Sequence, residues 1–319
     1  MRIVFMGTPE FAVPSLDALL ASGDQVVGIV TQPDRPKGRG QQLTPSPIKL
    51  IAQREQIPLL QPVKMKAPEF MEPLKAWQPD LIAVTAFGRI LHPGILALPP
   101  MGCVNVHGSL LPKYRGAAPV QWAVINGDPE TGITTMLMDE GMDTGAMLLQ
   151  ERMPILPDDT AGTLAPRLAA LGGRLLVETI RQLKAGTLKP VPQDHSHATL
   201  APLLKKEDGA IDWTMHAGVL AHRVRGLSPW PGAYTSLQGE RWTVWKAVAT
   251  ANGESAAPGT IVRVTKSSLS VATGEGLLEI TEIQPANSKR LTVAQYLAGH
   301  SVAAGQRFEP EPPAPEATP

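Results

Sequence analysis

The chain's 319 residues are enough for about two domains. With 29 Lys and Arg against 29 Asp and Glu, its formal charge is zero, which excludes a protein basic throughout but not a local basic patch. The single cysteine, Cys103, excludes an internal disulfide and any multi-cysteine metal site, and the 29 glycines and 32 prolines promise many turns within an ordinary globular composition.

No apolar run reaches the ~18 residues needed to span a bilayer. The opening Met1-Arg-Ile-Val-Phe-Met-Gly-Thr-Pro9 is too short in its apolar part for a secretory signal and lacks the character of a transit peptide. A cytoplasmic protein without a membrane partner is expected.

In chain order, residues 2–6 form an apolar run that stops at Gly7-Thr8-Pro9. Phe11, Leu16, Leu19 and Leu20 then recur at helical spacing, and Val26–Val30 reads as a second buried strand. A helix near Ala67–Trp77 precedes a strand at Leu81–Ala86, and Cys103–His107 gives another. Further on come a helix over Val120–Asn126, strands near Ile133–Met138 and Met147–Met153, and a helix over Leu164–Lys184. This alternation predicts an open, mostly parallel α/β sheet over residues 1–188.

Residues 189–204, with several prolines and no apolar period, read as a linker. After one helix near Thr214–Val224, short alternating runs at Tyr234–Leu237, Arg241–Trp245, Thr260–Val264, Ser268–Val271 and Leu277–Ile280 suggest a β-barrel of about five strands over 205–308. The Pro- and Glu-rich residues 309–319 are expected to be a disordered tail. Residues 205–308 carry 11 basic against 8 acidic side chains, and the segment Asp34–Lys49 adds Arg35, Lys37, Arg39 and Lys49 against Asp34. These two small basic zones suit a phosphate-bearing partner as well as they suit a solvated surface. The second of them has no apolar period and is expected to be an open, mobile loop.

The Gly7-Thr-Pro-Glu turn does not match the dinucleotide fingerprint G-x-G-x-x-G, and no acidic residue ends the second strand, so a nicotinamide or flavin dinucleotide is not expected. More informative is Cys103-Val-Asn105-Val-His107-Gly108. Alternation along a strand points Asn105 and His107 to one face, and Gly108 puts both near the carboxyl end, where open α/β sheets bind ligands. An amide donor beside an imidazole can hold the oxyanion of a tetrahedral intermediate; alternatively, the pair simply satisfies loop carbonyls. The turn Met138–Gly145 offers Asp139, Glu140 and Asp143 as partners for His107, with no spacing argument to choose among them. The His195-Ser-His197 pair could bind a metal, but reads more simply as solvated.

Asn105-Val-His107-Gly-Ser-Leu-Leu-Pro-Lys-Tyr-Arg-Gly-Ala-Ala-Pro119 closely resembles the active-site segment of the 10-formyltetrahydrofolate-dependent formyltransferases, and Asp143-Thr-Gly matches that family's acidic partner loop. Phe5-Met-Gly-Thr-Pro-Glu-Phe11, Gln32-Pro-Asp-Arg-Pro-Lys-Gly-Arg-Gly40 and Lys206-Glu-Asp-Gly-Ala-Ile-Asp-Trp213 are similar to the branch acting on methionyl initiator tRNA, over residues 1–308; the tail beyond Phe308 has no role in the resemblance. It implies a Rossmann-like formyltransferase domain followed by an OB-like tRNA-binding barrel, with Asn105, His107 and Asp143 as the catalytic trio. It also implies 10-formyltetrahydrofolate as co-substrate near Ser109, Leu110, Leu111 and Pro112, with the pterin lined by Phe87, Gly88, Arg89 and the 139–143 turn. Arg35, Lys37, Arg39 and Lys49 would then contact the tRNA acceptor stem, and Phe11 would line the methionyl pocket unless it is an ordinary core residue. No metal is implied, and a monomer is expected.

Three other readings compete. An amino-sugar or glycinamide-nucleotide formyltransferase would share the trio but has less use for a basic loop and a barrel. A nucleotide-dependent oxidoreductase lacks its glycine fingerprint. A non-catalytic tRNA-binding protein leaves Asn105, His107 and Asp143 without a purpose.

Overall fold

The structure, a computed structural model, describes residues 1–37, 42–250 and 256–309. Arg39, with its neighbours Gly38, Gly40 and Gln41, and the tail residues 310–319 lie outside the described residues. The described chain divides into two compact units. One comprises residues 1–119, 130–154 and 165–202; the other comprises 120–129, 155–164 and the residues from 203 onward.

β1 (Arg2–Gly7) buries Ile3, Val4, Phe5 and Met6 completely, as a strand covered on both faces requires. A 3-10 turn at Glu10–Ala12 and α1 (Val13–Ala21) lead to β2 (Gln25–Val30), which pairs parallel with β1. β3 (Arg35–Lys37) and β4 (Gln42–Thr44) then pair antiparallel as a separate two-stranded ribbon, so the expected open loop has ordered arms. The ribbon is held by backbone ladder bonds rather than by buried apolar area, and for that reason no apolar period announces it. α2 (Pro47–Arg54) starts at Ser46, whose hydroxyl accepts the Lys49 N–H at 3.1 Å, an ordinary serine N-cap.

β5 (Leu59–Leu60), α3 (Pro68–Ala76), β6 (Leu81–Thr85), α4 (Pro93–Leu96) and β7 (Cys103–His107) continue the sheet and its helices. Next come α5 (Pro119–Ile125), β8 (Glu130–Leu137), β9 (Met147–Pro154) and α6 (Ala161–Lys184). The strand order is β5-β2-β1-β6-β7-β8-β9, parallel except where β8 pairs antiparallel with β7 and β9. Phe70, Leu74, Phe87 and Ile95 pack with Val4, Ile82 and Val84 in one core cluster of this sheet. α6 carries Gly172 and Gly173 in mid-helix, where each costs about 1 kcal/mol against alanine. A Cβ at Gly172 would stand 2.8 Å from Val106 Cγ1 and one at Gly173 only 2.5 Å from the Pro14 carbonyl oxygen, so close approach to β7 and α1 accounts for both.

In the second unit, α7 (Ala217–Gly226) precedes β10 (Ala233–Leu237), β11 (Glu240–Thr250), β12 (Ile261–Val264), β13 (Leu269–Ala272) and β14 (Leu277–Pro285). β15 (Leu291–Thr292), α8 (Val293–Leu297) and β16 (Phe308–Glu309) complete it. The antiparallel order is β12-β13-β14-β11-β10-β16, with β15 on β14. The ends of this order meet: Phe308 N–H donates to the Gly259 carbonyl at 2.9 Å and Ile261 N–H to the Gln306 carbonyl at 2.8 Å. A register shift around Lys246 bends β11 against β14, as closing a small sheet demands. Trp213 stacks on Phe308 with ring centroids 5.5 Å apart, and Trp242 meets Phe308 edge-on at 5.7 Å. The expected OB-like barrel is present, with a two-residue closing strand too short to show in periodicity.

Candidate active site

β7 presents Asn105 and His107 on one face, two residues apart, at the carboxyl end of the sheet's parallel part. The turn between β8 and β9 brings the third group. Within it Asp139 accepts from the Gly141 N–H and the Thr144 hydroxyl, making the turn itself, and Glu140 is exposed. Asp143 is the carboxylate that reaches β7. The Asn105 Nδ2 donates to its Oδ1 at 3.3 Å, the Gly116 N–H donates to its Oδ2 at 2.9 Å, and Oδ2 lies 3.6 Å from His107 Nδ1.

His107 is 5% exposed, and its Nε2 meets the Tyr114 carbonyl at 2.9 Å. A carbonyl only accepts, so Nε2 carries a hydrogen and Nδ1 is the ring atom turned to the carboxylate. Asp143 has φ +54°, a left-handed conformation that costs a side-chain-bearing residue about 1–2 kcal/mol and is most often met by Asn and Asp. Gly145 is needed here for space: a Cβ would lie 1.9 Å from the Leu137 carbonyl oxygen, where the turn crosses the end of β8.

The loop after β7 is held from outside the motif. Thr134 Oγ1 donates to the Ser109 carbonyl and accepts the Leu111 N–H, while Gln150 Nε2 donates to the Leu111 carbonyl. Ser109 is fully buried, its hydroxyl donating to the Lys113 carbonyl at 2.6 Å. Leu111 is buried beside half-buried Leu110 and Pro112. Phe87 is 2% exposed with its ring in the sheet's core cluster; its carbonyl accepts from Gln32 Nε2, next to Gly88, and Arg89 donates to the Val63 carbonyl. Phe11 is half-buried in the 3-10 turn after β1. Cys103, two residues before Asn105, has its thiol pushed up to about 12 by burial and is not a nucleophile.

Around the ribbon, Lys49 Nζ pairs with Asp34 Oδ2 at 2.6 Å and Arg35 donates to the Gln32 side chain at 2.8 Å. The hydrogen bonds from Lys49 and Gln61 hold the Asp34 carboxyl below its ordinary range. A cleft of about 280 Å³ lies between the ribbon and the strand ends, lined by Thr8, Gln32, Arg35, Thr44 and Ser46 among prolines.

Residues 189–202, in the segment expected to be a linker, belong to the unit that holds this site. Val191 bridges Met147 by two backbone hydrogen bonds, and Gln193 is buried against Arg115 and the Asp143 turn. Their proline-rich, aperiodic texture carries no signal of that role. His195 Nδ1 accepts from Arg115 Nη2 at 3.0 Å, and among the described residues no group of His, Cys, Asp and Glu is placed to hold a metal ion. No helix among them is long and apolar enough to cross a membrane.

Residues 1–180 match the family model described as formyl transferase, and 203–301 match the formyl transferase C-terminal domain. The chain belongs to the formyl transferase family. A methionyl-tRNA formyltransferase of Desulfotalea psychrophila is 54% identical over 304 residues, covering 95% of this chain and 94% of the relative. Another, of Myxococcus xanthus, is 50% identical over 306 residues, covering 96% and 97%. Among solved structures, an N-formyltransferase of Helicobacter canadensis, in complex with folinic acid and dTDP-3-aminofucose, aligns with a TM-score of 0.64 at 16% identity, over 91% of this chain and all of that one. HypX of Aquifex aeolicus with tetrahydrofolic acid aligns with a TM-score of 0.60 at 17% identity, over 93% of this chain and 47% of its own. At those identities the two structures share the formyltransferase fold.

Proposed function

We propose that Asn105, His107 and Asp143 carry the reaction of this chain: transfer of a formyl group from 10-formyltetrahydrofolate to the α-amine of methionyl initiator tRNA, for translation initiation. The observation behind the assignment is the convergence of the three side chains at the end of β7, where Asn105 donates to one Asp143 oxygen and His107 Nδ1 lies 3.6 Å from the other. The neutral amine attacks the formyl carbon. As that N–C bond forms, the second Nδ2 hydrogen of Asn105 faces the developing oxyanion, His107 serves as a second donor only with a proton on Nδ1 as well, and Asp143 takes the amine proton, directly or through water. The bond between the formyl carbon and folate N10 then breaks, and N10 receives a proton, so the net proton transfer runs from amine to folate. Cys103 has no part.

The folate would lie along Ser109–Pro112, reached mainly through backbone because Ser109 and Phe87 are buried, with Gly88, Arg89 and the 139–143 turn at the pterin. Phe11 would line the methionyl pocket. Arg35, Lys37 and Arg39 would meet the acceptor-stem phosphates, with Lys49 bracing the ribbon through Asp34. In this reading residues 1–188 are the catalytic domain, 189–204 the linker and 205–308 the tRNA-binding barrel, in a cytoplasmic monomer; Glu309, expected to open a tail, instead pairs with Ser236 as part of β16.

The test offers labelled 10-formyltetrahydrofolate with methionyl-tRNA, glycinamide nucleotide and an amino-sugar nucleotide in parallel. Label is expected on the tRNA alone. Preferential transfer to either small acceptor would overturn the substrate assignment.

A further inference from the structure

Gln193 sits in an aperiodic, proline-rich segment, yet its side chain is 5% exposed and every hydrogen-bonding position of its amide is occupied. Nε2 donates to the carbonyls of Asp143 and Gly145, both at 2.8 Å. Oε1 accepts from Arg115 Nε at 3.1 Å and Nη2 at 2.8 Å. Both flanking loops are fixed to the same stretch of chain. Val191 exchanges two backbone bonds with Met147, just past the turn, and Arg115 exchanges two with Thr199 and Ala201.

We propose that Gln193 is a positioning residue for formyl transfer, acting through Asp143. It ties the backbone on which the Asp143 carboxylate rides to Arg115, whose neighbour Gly116 holds that carboxylate by its N–H. Asp143 stands in a left-handed conformation, and Gln193 holds its carbonyl from 50 residues away in the chain. The amide fixes the carbonyl of Asp143 and that of Gly145 together, so the carboxylate arrives at Asn105 and His107 in one orientation. Arg115 is 7% exposed and donates to the side chains of Gln193 and His195; its guanidinium holds the amide oxygen on the side away from the turn, so the amide cannot flip without placing its NH₂ against Arg115.

This inference rests on the role given to Asp143 above. Gln193→Glu keeps the size and the pairing with Arg115 but removes both donors to the turn carbonyls. The full-length Gln193→Glu protein is expected to lose about 100-fold in kcat, the cost of a misplaced reacting group, with KM for methionyl-tRNA and for 10-formyltetrahydrofolate close to wild type. In an Asp143→Asn background the same change is expected to cost less than about threefold further, because the two residues act as a unit. Gln193→Met, uncharged and of similar length, repeats the test if the glutamate prevents folding, and each variant's melting curve accompanies its kinetics. Wild-type kcat in both variants, with Asp143→Asn impaired, would overturn the inference and leave the catalytic assignment standing; so would a full 100-fold loss repeated in the Asp143→Asn background. Wild-type activity in Asp143→Asn itself would instead sink the catalytic assignment.

Discussion

Asn105 and Asp143, 38 residues apart in the chain, are joined by a 3.3 Å hydrogen bond from the amide to the carboxylate, which commits one Nδ2 hydrogen and fixes the amide plane. Asn105→Ala removes an oxyanion donor and a tether on Asp143 at once. A loss of about 10²–10³ in single-turnover rate is expected, with tRNA affinity little changed. Asn105→Asp should be worse, since it sets a second carboxylate against Asp143. Rapid-quench formyl transfer together with filter binding checks this; retention of more than half the wild-type rate in Asn105→Ala would refute it.

Gly145→Ala tests the turn from its other end. A methyl group at 1.9 Å from the Leu137 oxygen must displace backbone on one side or the other, and because Leu137 is paired with Val104 inside the sheet, the turn carrying Asp143 is the side expected to move. The expected outcome is a kcat at least tenfold lower, since a shift of about 1 Å is enough to cost 10²-fold, with a melting temperature lowered by a few degrees at most. Unchanged kcat would show that Asp143 tolerates displacement.

The sequence exposed the strand-borne half of this site, because period-two alternation puts Asn105 and His107 on one face whatever surrounds them. It could not choose Asp143 over Asp139 or Glu140: all three sit in one aperiodic turn, and the choice depends on which carboxylate the backbone swings toward β7. Gln193 stayed hidden for a different reason. Its segment buries polar groups through hydrogen bonds, which leave no hydrophobic period, and its partners lie 48 to 78 residues away in sequence. The ribbon of β3 and β4 was missed likewise, whereas the long barrel strands β11 and β14 announced themselves by alternation. The cut into two units does not follow one point on the chain, because residues 120–129 and 155–164 cluster with the later unit.

Barrel closure rests on Phe308, 1% exposed between Trp213 and Trp242. Phe308→Ala is expected to cost about 3–5 kcal/mol of the second unit's stability, the usual range for a buried phenylalanine. Urea unfolding followed by tryptophan fluorescence should show that transition moving to lower denaturant. A shift below about 1 kcal/mol would mean that the barrel closes without it.

Acid should weaken the same unit through His222. Burial, with the nearby Arg225 charge, holds its proton affinity below the ordinary value of 6.5. The unfolded chain therefore takes up a proton that the folded one resists, so the contribution of His222 to stability is intact above pH 6.5 and is lost as pH falls through that value toward the lower folded one. His222→Gln should flatten the fall in urea midpoint between pH 8 and pH 5.5, measured against wild type. An identical fall in both proteins would assign the acid sensitivity to other groups.

The last prediction separates charges that meet the tRNA from charges that hold the ribbon. Lys49 is spent on Asp34 at 2.6 Å, and Asp34 is gripped as well by Gln61, so this pair braces the base of the ribbon. Arg35 has one nitrogen on the Gln32 side chain, and Lys37 and Arg39 follow it in sequence. Each phosphate neutralised on binding releases counterions and adds about 0.9 to the slope of log affinity against log salt on a duplex. Arg35→Ala, Lys37→Ala and Arg39→Ala together should reduce that slope by up to about three and slow formyl transfer, while leaving folate binding unchanged. Lys49→Ala should behave differently. It is expected to weaken tRNA binding by a similar factor at every salt concentration, leaving the slope near wild type, because it loosens the ribbon without removing a phosphate contact. Affinities measured by filter binding from low to near-physiological salt distinguish the two. A slope unchanged in the triple variant would take the ribbon out of phosphate recognition, and a slope lowered by about one in Lys49→Ala would show that Lys49 leaves Asp34 to meet the tRNA.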